Sequence, residues 1–251
     1  MTYDPIAQLY NAEHRDFADD IALYTELAQR TGGPILEAMC GSGRVLLPLA
    51  QAGFKITGVD SSGEMLALAR QQIKAQGLSR RIQLLQSDIC ARLPTGPYAL
   101  AIVALNSFMH LNQTEQQLRA LAHLHSALRP EGLLVLDILN PNPQYILQAN
   151  NQLVLDKAIA LDDGSIAHKF VAQQADPSQQ CMYTTIMYDV LSIAGELRRY
   201  SMSTTMRWLY RFELEHLLAR SGFQLEQLYG SYDLDEYSAE SEQMIAVARK
   251  R

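Results

Sequence analysis

The first 140 residues alternate between short apolar runs and longer segments with helical periodicity, and this alternation is what most constrains the fold. The apolar runs predict five strands, at Pro34–Met39, Phe54–Val59, Ile82–Gln86, Ala99–Leu105 and Leu133–Leu139. The segments between them predict helices at Gly43–Ala52, Gly63–Gln76 and Glu115–Leu128. Apolar strands separated by helices of about ten or more residues are typical of βαβ crossovers and a parallel sheet. The sequence therefore predicts an α/β chain whose sheet is covered by helices on both faces.

A β-rich segment interrupts this alternation between Asn151 and Trp208, where Val, Ile, Thr and Tyr are frequent. Hairpin-type dipeptides at Asp163-Gly164 and Ala194-Gly195 predict three or four antiparallel strands. Three more elements are predicted beyond the insertion: a helix in RFELEHLLARSGF that ends at Gly222, and strands at Gln224–Tyr229 and Met244–Ala248. The complete expectation is a Rossmann-like, doubly wound α/β sheet of seven mostly parallel strands, with an antiparallel β insertion after strand five.

Charge and cysteine usage exclude several classes of function. The 251-residue chain has a net charge of −6 and no Lys/Arg-rich block, so we expect no nucleic-acid partner. Cys40, Cys90 and Cys181 are far apart and form no CxxC pair, which predicts neither a disulfide framework nor a metal site. The polar, acidic N-terminus is unlike a signal peptide, and no apolar stretch is long enough to cross a membrane. We therefore expect a cytoplasmic protein without a membrane partner.

The stretch ILEAMCGSGRVLLPLA contains the first candidate site, because a glycine turn joins a strand to a helix there. Backbone N–H groups and the positive end of a helix suit a phosphate or a carboxylate. A dinucleotide fingerprint needs a third small residue after Gly41 and Gly43, but Leu46 stands in that position. Glu37, just before the turn, would also repel a pyrophosphate. The turn therefore favours a zwitterionic ligand over a dinucleotide.

Two further acids stand at the ends of the next two predicted strands. Asp60 ends strand two, about 20 residues beyond the glycine turn, where an acid can accept hydrogen bonds from ribose hydroxyls. Asp88 ends strand three, where an adenine amino group can donate to it, and Ile89 and Met65 can supply apolar faces for the purine. Together with Glu37, these acids mark the carboxyl ends of successive strands, which form the binding edge of a doubly wound sheet.

These motifs resemble those of the class I S-adenosylmethionine-dependent methyltransferases, of the small-molecule type with an inserted antiparallel segment. The resemblance covers roughly residues 35–140 and 207–249. Its main motifs are, in order, ILEAMCGSGRVLLPLA, GVDSSGEMLALAR, LLQSDI, ALNSFMHL, LRPEGLLVLDILNP and RFELEHLLARSGF. It implies S-adenosylmethionine as cofactor and S-adenosylhomocysteine as product. Met39 departs from the family pattern, in which glycine or alanine is usual at this position of the turn.

The resemblance also implies a role for each matched position. Glu37, Gly41 and Gly43 would shape the methionine end of the cofactor site. Asp60 would hold the ribose, with Ser61 and Met65 beside it. Four further residues would complete the site, namely Asp88 and Ile89 at the adenine and Leu105 and Asn106 at the sulfonium side.

Three regions of the chain have different expected roles. Residues 1–33 are predicted to form an N-terminal helical cap over the cofactor site. Residues 34–144 and 207–251 form the predicted methyltransferase core. Residues 145–206 form the antiparallel insertion, which we expect to act as a lid or as a homodimer contact.

Three residues are the candidates for the acceptor side of the site. Tyr10 belongs to the predicted cap, and in similar enzymes a tyrosine-bearing N-terminal helix closes over the cofactor. His110 follows strand four and is of a residue type that titrates near neutrality, although it is equally consistent with an exposed loop histidine. Arg207, where the insertion meets the closing helix, could hold an acidic acceptor or form a surface salt bridge. The sequence assigns no general base.

The expected reaction is transfer of the methyl group to a nitrogen or oxygen of a small-molecule acceptor by direct in-line displacement. Two alternatives stay open at this point. A non-catalytic protein that binds S-adenosylmethionine would account for Met39 and for the lack of an obvious base. An NAD-dependent oxidoreductase is disfavoured by Glu37 and Leu46.

Overall fold

The computed structural model describes residues 3–251, apart from the side chain of Tyr145. Its strands, numbered along the chain, are β1 (Ile35–Ala38), β2 (Ile56–Asp60), β3 (Ile82–Gln86), β4 (Tyr98–Val103), β5 (Leu128–Leu139), β6 (Gln152–Ala160), β7 (Ile166–Asp176), β8 (Cys181–Leu191), β9 (Leu197–Arg207), β10 (Phe223–Tyr229) and β11 (Gln243–Lys250). Its helices are α1 (Ala7–His14), α2 (Ile21–Thr31), α3 (Leu46–Gln51), α4 (Gly63–Ala75), α5 (Thr114–Ala127), α6 (Pro143–Ala149) and α7 (Arg211–Arg220).

The larger sheet has seven strands in the order β10-β11-β5-β4-β1-β2-β3. Strand β11 is antiparallel to both of its neighbours, and the remaining pairs are parallel. One apolar core packs against α5 and α7 on one face of the sheet, and a second packs against α2, α3 and α4 on the other face. The predicted doubly wound α/β fold is confirmed.

The insertion after strand five forms a separate antiparallel sheet in the order β6-β7-β8-β9, as the sequence predicts. A third apolar cluster joins this sheet to the N-terminal segment, because Ile6 and Leu9 pack against Ile186, Tyr188 and Met202. Helix α1 therefore lies between the inserted sheet and the main domain, where it also packs against α4. The N-terminal segment and the insertion therefore contact each other, and each also contacts the main domain.

Two element boundaries differ from the sequence prediction for identifiable reasons. Helix α3 begins at Leu46 rather than Gly43, because Gly41 and Gly43 have positive φ angles that a right-handed helix does not allow. Strand β5 begins at Leu128 rather than Leu133, because its pairing with β4 continues across an irregularity that contains the positive-φ residue Glu131.

The parallel register places the carboxyl ends of β4, β1, β2 and β3 side by side at one edge of the larger sheet. This is the edge where open α/β sheets bind ligands. Within residues 3–251, no helix combines the length and the apolar character needed to span a membrane.

Candidate functional site

The glycine turn after β1 is held by the acid at the end of β2. Gly41 and Gly43 have φ angles of +54° and +87°, which residues with a side chain rarely adopt. The backbone N–H of Gly41 donates to Oδ2 of Asp60 over 2.8 Å, and that of Ser62 donates to Oδ1 over 2.8 Å. Asp60 thus joins the turn after β1 to the turn after β2.

Leu46 occupies the position where a dinucleotide-binding turn has its third glycine, and the neighbouring strand accommodates it. A Cβ atom on Gly58 of β2 would lie 2.6 Å from Cδ1 of Leu46 and 2.9 Å from Sγ of Cys40. The close approach of helix and strand therefore depends on the missing side chain of Gly58 rather than on a small residue in the helix.

Glu37 is buried beside the glycine turn, at 3% exposure, and its Oε2 atom has no hydrogen-bond partner. Burial raises the pKa of Glu37 to about 8, although the Arg44 guanidinium lowers it. Arg44 is itself occupied by Asp20, with two nitrogen–oxygen distances of 2.6 Å. The site therefore contains a buried acceptor oxygen that a cationic ligand would satisfy.

The remaining predicted cofactor residues of β2 and β3 lie around the same edge. Met65 and Ile89 are buried apolar side chains, whereas Ser61 and Asp88 are exposed. Asp88 accepts the backbone N–H of Cys90 at 2.7 Å. Burial raises the pKa of Asp60, and the backbone N–H groups that it accepts oppose this rise.

The turn after β4 has an unusual backbone at the two positions predicted for the sulfonium side. Leu105 and Asn106 have φ angles of +49° and +63°, and such strained positions are concentrated at functional sites. The N–H of Leu105 donates to Oδ2 of Asp137 at 3.0 Å, and the N–H of Asn106 donates to the Asp137 carbonyl at 2.9 Å. The Oδ1 atom of Asn106 is buried without a partner. Strand β5 thus holds this turn in place.

Asp137 is a site residue that the sequence analysis missed. It is fully buried, and the hydroxyls of Tyr24 and Tyr232 donate to its Oδ2 atom at 3.1 and 3.0 Å. Burial raises its pKa, and the three hydrogen bonds to Oδ2 oppose that rise. The available signal was an acid within GLLVLDIL, an otherwise apolar run.

Tyr10 and His110 are brought together by Tyr3, which the sequence analysis did not single out. The hydroxyl of Tyr3 lies 3.1 Å from Nε2 of His110, and the Tyr3 and Tyr10 rings meet edge to face at 4.8 Å. The Nδ1 atom of His110 lies 3.1 Å from Oγ1 of Thr204 on the inserted sheet. Three parts of the chain therefore meet at His110: the N-terminal segment, the turn after β4 and the insertion.

Burial lowers the pKa of His110 to about 4. Its imidazole is therefore neutral near pH 7, with both ring nitrogens hydrogen-bonded to hydroxyl groups. Burial also raises the pKa of Tyr3 to about 12. Proton transfer from Tyr3 to His110 is therefore strongly unfavourable, and the pair positions groups rather than exchanging a proton.

Arg207 makes its polar contacts away from this group. Its Nη1 donates to Oγ1 of Thr114 at 3.0 Å, and its Nη2 lies 3.1 Å from Oε1 of Glu213. The Nε atom is buried without a partner. A contact of Arg207 with an acceptor stays a prediction.

A buried ion-pair network fastens α1 to the inserted sheet. The Glu13 side chain is 1% exposed and lies 2.8 Å from Nζ of Lys169 and 3.0 Å from Nζ of Lys157. The Tyr188 hydroxyl donates to Oε2 of Glu13 at 2.5 Å. Burial raises the pKa of Glu13, but His14, Lys169 and Tyr188 outweigh burial and hold it at about 2. Sequence alone gave no signal for this network, because its members are far apart along the chain.

The charges at the sheet edge fit the cofactor that the resemblance implies. Glu37, Asp60 and Asp137 make no salt bridge with any described residue, and oxygens of Glu37 and Asp137 are buried without partners. S-adenosylmethionine would bring an ammonium and a sulfonium, both cationic, to such an edge. Across residues 3–251, no group of three or more His, Cys, Asp or Glu side chains is arranged to hold a metal ion.

Comparisons with known proteins identify a family and a fold that this chain resembles. The family described as "Methyltransferase domain" matches residues 35–132. The putative methyltransferase YqeM of Bacillus subtilis (strain 168) is 26% identical and aligns over 100% of this chain and 98% of the relative.

Two solved structures share the fold over almost the whole chain. An S-adenosylmethionine-dependent methyltransferase from Clostridium acetobutylicum superposes with a TM-score of 0.82, at 17% identity, over 99% of this chain and 98% of the other. The sugar N-methyltransferase KedS8 from Streptoalloteichus superposes with a TM-score of 0.76, at 18% identity, over 100% and 93%. At these identities the superpositions show a common fold.

Proposed function

Because the chain belongs to the class I S-adenosylmethionine-dependent methyltransferases, we propose that it methylates a nitrogen or oxygen of a small-molecule acceptor by direct in-line displacement. The observation that carries the proposal is the junction at His110. There the N-terminal segment, through Tyr3, and the inserted sheet, through Thr204, meet the turn that follows β4. A covered site of this kind favours a small acceptor over a polymer.

The cofactor is S-adenosylmethionine, which supplies an activated methyl group on a sulfonium when bound. In the proposal, Glu37, Gly41 and Gly43 hold its methionine end, and the buried oxygen of Glu37 accepts from its ammonium. The ribose lies at Asp60, with Ser61 and Met65 beside it. The other proposed contacts are those of Asp88 and Ile89 with the adenine and of Leu105 and Asn106 with the sulfonium side.

The chain's own residues contribute positioning more than acid–base chemistry. A sulfonium is a good leaving group, so most of the rate enhancement can come from holding the acceptor in line with the methyl group. Tyr10 and His110 are the proposed positioning groups, and Arg207 is the proposed anchor for an acidic acceptor. Because His110 is neutral with both nitrogens engaged, an amine acceptor would lose its proton to solvent before transfer.

Nitrogen is the acceptor atom favoured by the comparisons. The KedS8 structure is named a sugar N-methyltransferase, and its fold matches this chain over its whole length, insertion included. This likeness supports an amine ahead of a hydroxyl acceptor.

We propose a separate role for each of the three regions of the chain. Residues 1–33 act as the cap, residues 34–144 and 207–251 as the catalytic core, and residues 145–206 as a lid. The contacts of Glu13 with Lys169 and of Tyr3 with His110 support a cap and a lid that act together. A homodimer through the outer face of the inserted sheet is the second role that we propose for the insertion.

Methyl transfer to a panel of small amines, phenols and carboxylic acids tests the proposal, with tritiated S-adenosylmethionine as donor. We expect transfer to at least one amine, and Tyr10→Phe should lower kcat more than it weakens S-adenosylmethionine binding. Tyr98→Phe is the matched control, because its hydroxyl bonds to Thr57 near the opposite edge of the sheet. Cofactor binding without transfer to any member of the panel would contradict the proposed acceptor class and favour a non-catalytic binding protein.

A further inference from the structure

We infer that Asp137 is a second acidic ligand for the methionine ammonium of the cofactor, opposite Glu37. The inference rests on the cofactor assignment and deepens the proposed site, because neither the sequence motifs nor the family resemblance singles out this residue. It is carried by an uneven distribution of hydrogen bonds on one buried carboxylate.

All the described hydrogen bonds to the Asp137 side chain reach a single oxygen. Oδ2 accepts the Tyr24 hydroxyl at 3.1 Å, the Tyr232 hydroxyl at 3.0 Å and the Leu105 N–H at 3.0 Å. Oδ1 is equally buried and accepts nothing. Burial of a carboxylate oxygen without a hydrogen-bond donor costs free energy. A cation bound beside that oxygen would recover this cost.

The register places Asp137 on the same face of the sheet as Glu37. Glu37 is paired with Ile102, and Ile102 with Val135, so these three residues form one row across β1, β4 and β5. Side chains two residues apart on a strand point to the same face. Asp137 therefore lies on the face of Glu37, one step nearer the carboxyl edge.

A third bare oxygen belongs to the turn between these two acids. Oδ1 of Asn106 is buried without a partner, and the backbone N–H of Asn106 donates to the Asp137 carbonyl. Acceptor oxygens without partners are thus found on β1, on the turn after β4 and on β5, three neighbouring parts of one edge. An ammonium group carries three N–H donors and no acceptor, so it complements such a set.

The local charge balance supports a cation at this point. The charge of Arg44 lowers the pKa of Glu37, but its guanidinium is engaged by Asp20 through two short contacts. No described Lys, Arg or His side chain forms a salt bridge with Glu37 or Asp137. Neither acid therefore has a salt-bridge partner in the part of the chain that the structure describes.

The Asp137→Asn variant tests this inference, because it reverses the hydrogen bonding of one atom. Three donors converge on Oδ2, so the amide oxygen would take that place and the NH₂ group would replace Oδ1. The variant would keep the contacts that hold the turn, while presenting a donor where the ammonium needs an acceptor.

The readout is calorimetric binding of two probes rather than activity. One probe is S-adenosylhomocysteine, and the other is its deaminated derivative, in which hydrogen replaces the α-amino group. We expect the native protein to prefer S-adenosylhomocysteine by about tenfold or more, as a charge-assisted contact implies. We expect Asp137→Asn to lose most of that preference while it binds the deaminated probe as the native protein does.

Equal weakening of both probes in Asp137→Asn would overturn the inference, because Asp137 would then act only by holding the turn. Unchanged binding of S-adenosylhomocysteine would overturn it as well. Glu37→Gln keeps the test decisive should Asp137→Asn fail to fold. A partly retained preference in Glu37→Gln supports a second acidic ligand, whereas its complete loss assigns the ammonium to Glu37 alone.

Tyr98→Phe serves as the control, since it removes a buried hydroxyl hydrogen bond with Thr57 and should leave the preference unchanged. The outcomes also separate this inference from the proposed function. Binding of both probes with the expected preference, but without methyl transfer to small molecules, would leave Asp137 in its role and contradict only the acceptor proposal.

Discussion

Met39 adopts a backbone conformation that residues with a side chain rarely take, with a φ angle of +61° at the first position of the glycine turn. Its side chain is half-buried and packs against the apolar core under α5 and α7. The position at which the resemblance leads us to expect glycine or alanine thus has a left-handed backbone here and carries a large side chain. The strain is local, and packing of the methionine offsets part of it.

A matched pair of variants isolates the strain at this position. Met39→Gly and Met39→Ala both remove the packing, but only glycine relieves the positive φ angle. We expect the glycine variant to be more stable than the alanine variant by about 1 kcal/mol in urea unfolding. At an ordinary backbone position the order is reversed. An alanine variant as stable as the glycine variant would contradict the left-handed geometry.

The raised pKa of Glu37 predicts that a proton is released when the cofactor binds. Its pKa of about 8 means that the carboxyl is mostly protonated near pH 7 in the free protein. A bound ammonium lowers that pKa, so about one proton should leave at pH 7, and fewer as the pH rises above 8. Binding enthalpies of S-adenosylhomocysteine in phosphate and in Tris buffer measure this release. Equal observed enthalpies in the two buffers, or a release that persists in Glu37→Gln, would contradict the assignment.

The place of a candidate site residue could be predicted from the sequence where the residue ends a strand or forms a turn. Asp60 and the two glycines of the first turn are of this kind, because position along a βαβ unit determines their place at the edge. Asp137 and Tyr24 are not, since one lies inside an apolar run and the other reaches it from a helix 113 positions away. Such contacts depend on which helix face packs against which strand, and hydrophobic periodicity does not specify that.

At the scale of elements, the docking of α1 depends on Glu13. Glu13→Gln would remove the buried carboxylate that Lys169 and Lys157 share and would leave Lys169 with Asp156 alone, which weakens the contact between α1 and the inserted sheet. We expect amide exchange in α1 to be at least about tenfold faster in this variant, as measured by hydrogen exchange and mass spectrometry. Asp162→Asn is the control, because its partner Arg15 is exposed and such pairs contribute little.

The same network gives a pH dependence with a definite sign. The pKa of Glu13 falls from 4.5 to about 2 in the folded protein, so its stabilising effect is complete above pH 4.5 and is lost as the pH falls towards 2. Protection of α1 in the native protein should decline over that range. The difference in α1 amide-exchange rate between the native protein and Glu13→Gln should become smaller over the same pH range. A difference that stays constant would contradict a role of Glu13 in holding α1.

The strands of the larger sheet and the helices α3, α4, α5 and α7 could be predicted from periodicity and turn residues, as could an antiparallel insertion of three or four strands. The predicted ends of these elements were less accurate where backbone geometry, rather than the side-chain pattern, determines the boundary. The glycine turn delays α3 to Leu46, and the irregular pairing around Glu131 lengthens β5. The contact of the inserted sheet with the N-terminal segment could not be predicted, because it joins residues more than 150 positions apart.

At the scale of the whole molecule, the proposed site lies where three regions meet over one sheet edge. The core supplies the glycine turn and the acids, the N-terminal segment supplies Tyr3 and Tyr10, and the insertion supplies Thr204. Because Glu13 fastens the N-terminal segment to the insertion, these two regions are expected to move together when ligands enter. The acceptor would then be enclosed by two regions and the cofactor held mainly by the third.

Calorimetric titration with S-adenosylhomocysteine, with NAD as the comparison ligand, tests the central claim most directly. The account predicts binding of S-adenosylhomocysteine alone, and binding at least tenfold weaker in Asp60→Ala, because the ribose and the Gly41 N–H both lose their carboxylate. Binding of NAD in place of S-adenosylhomocysteine, or an unchanged affinity in Asp60→Ala, would contradict the account.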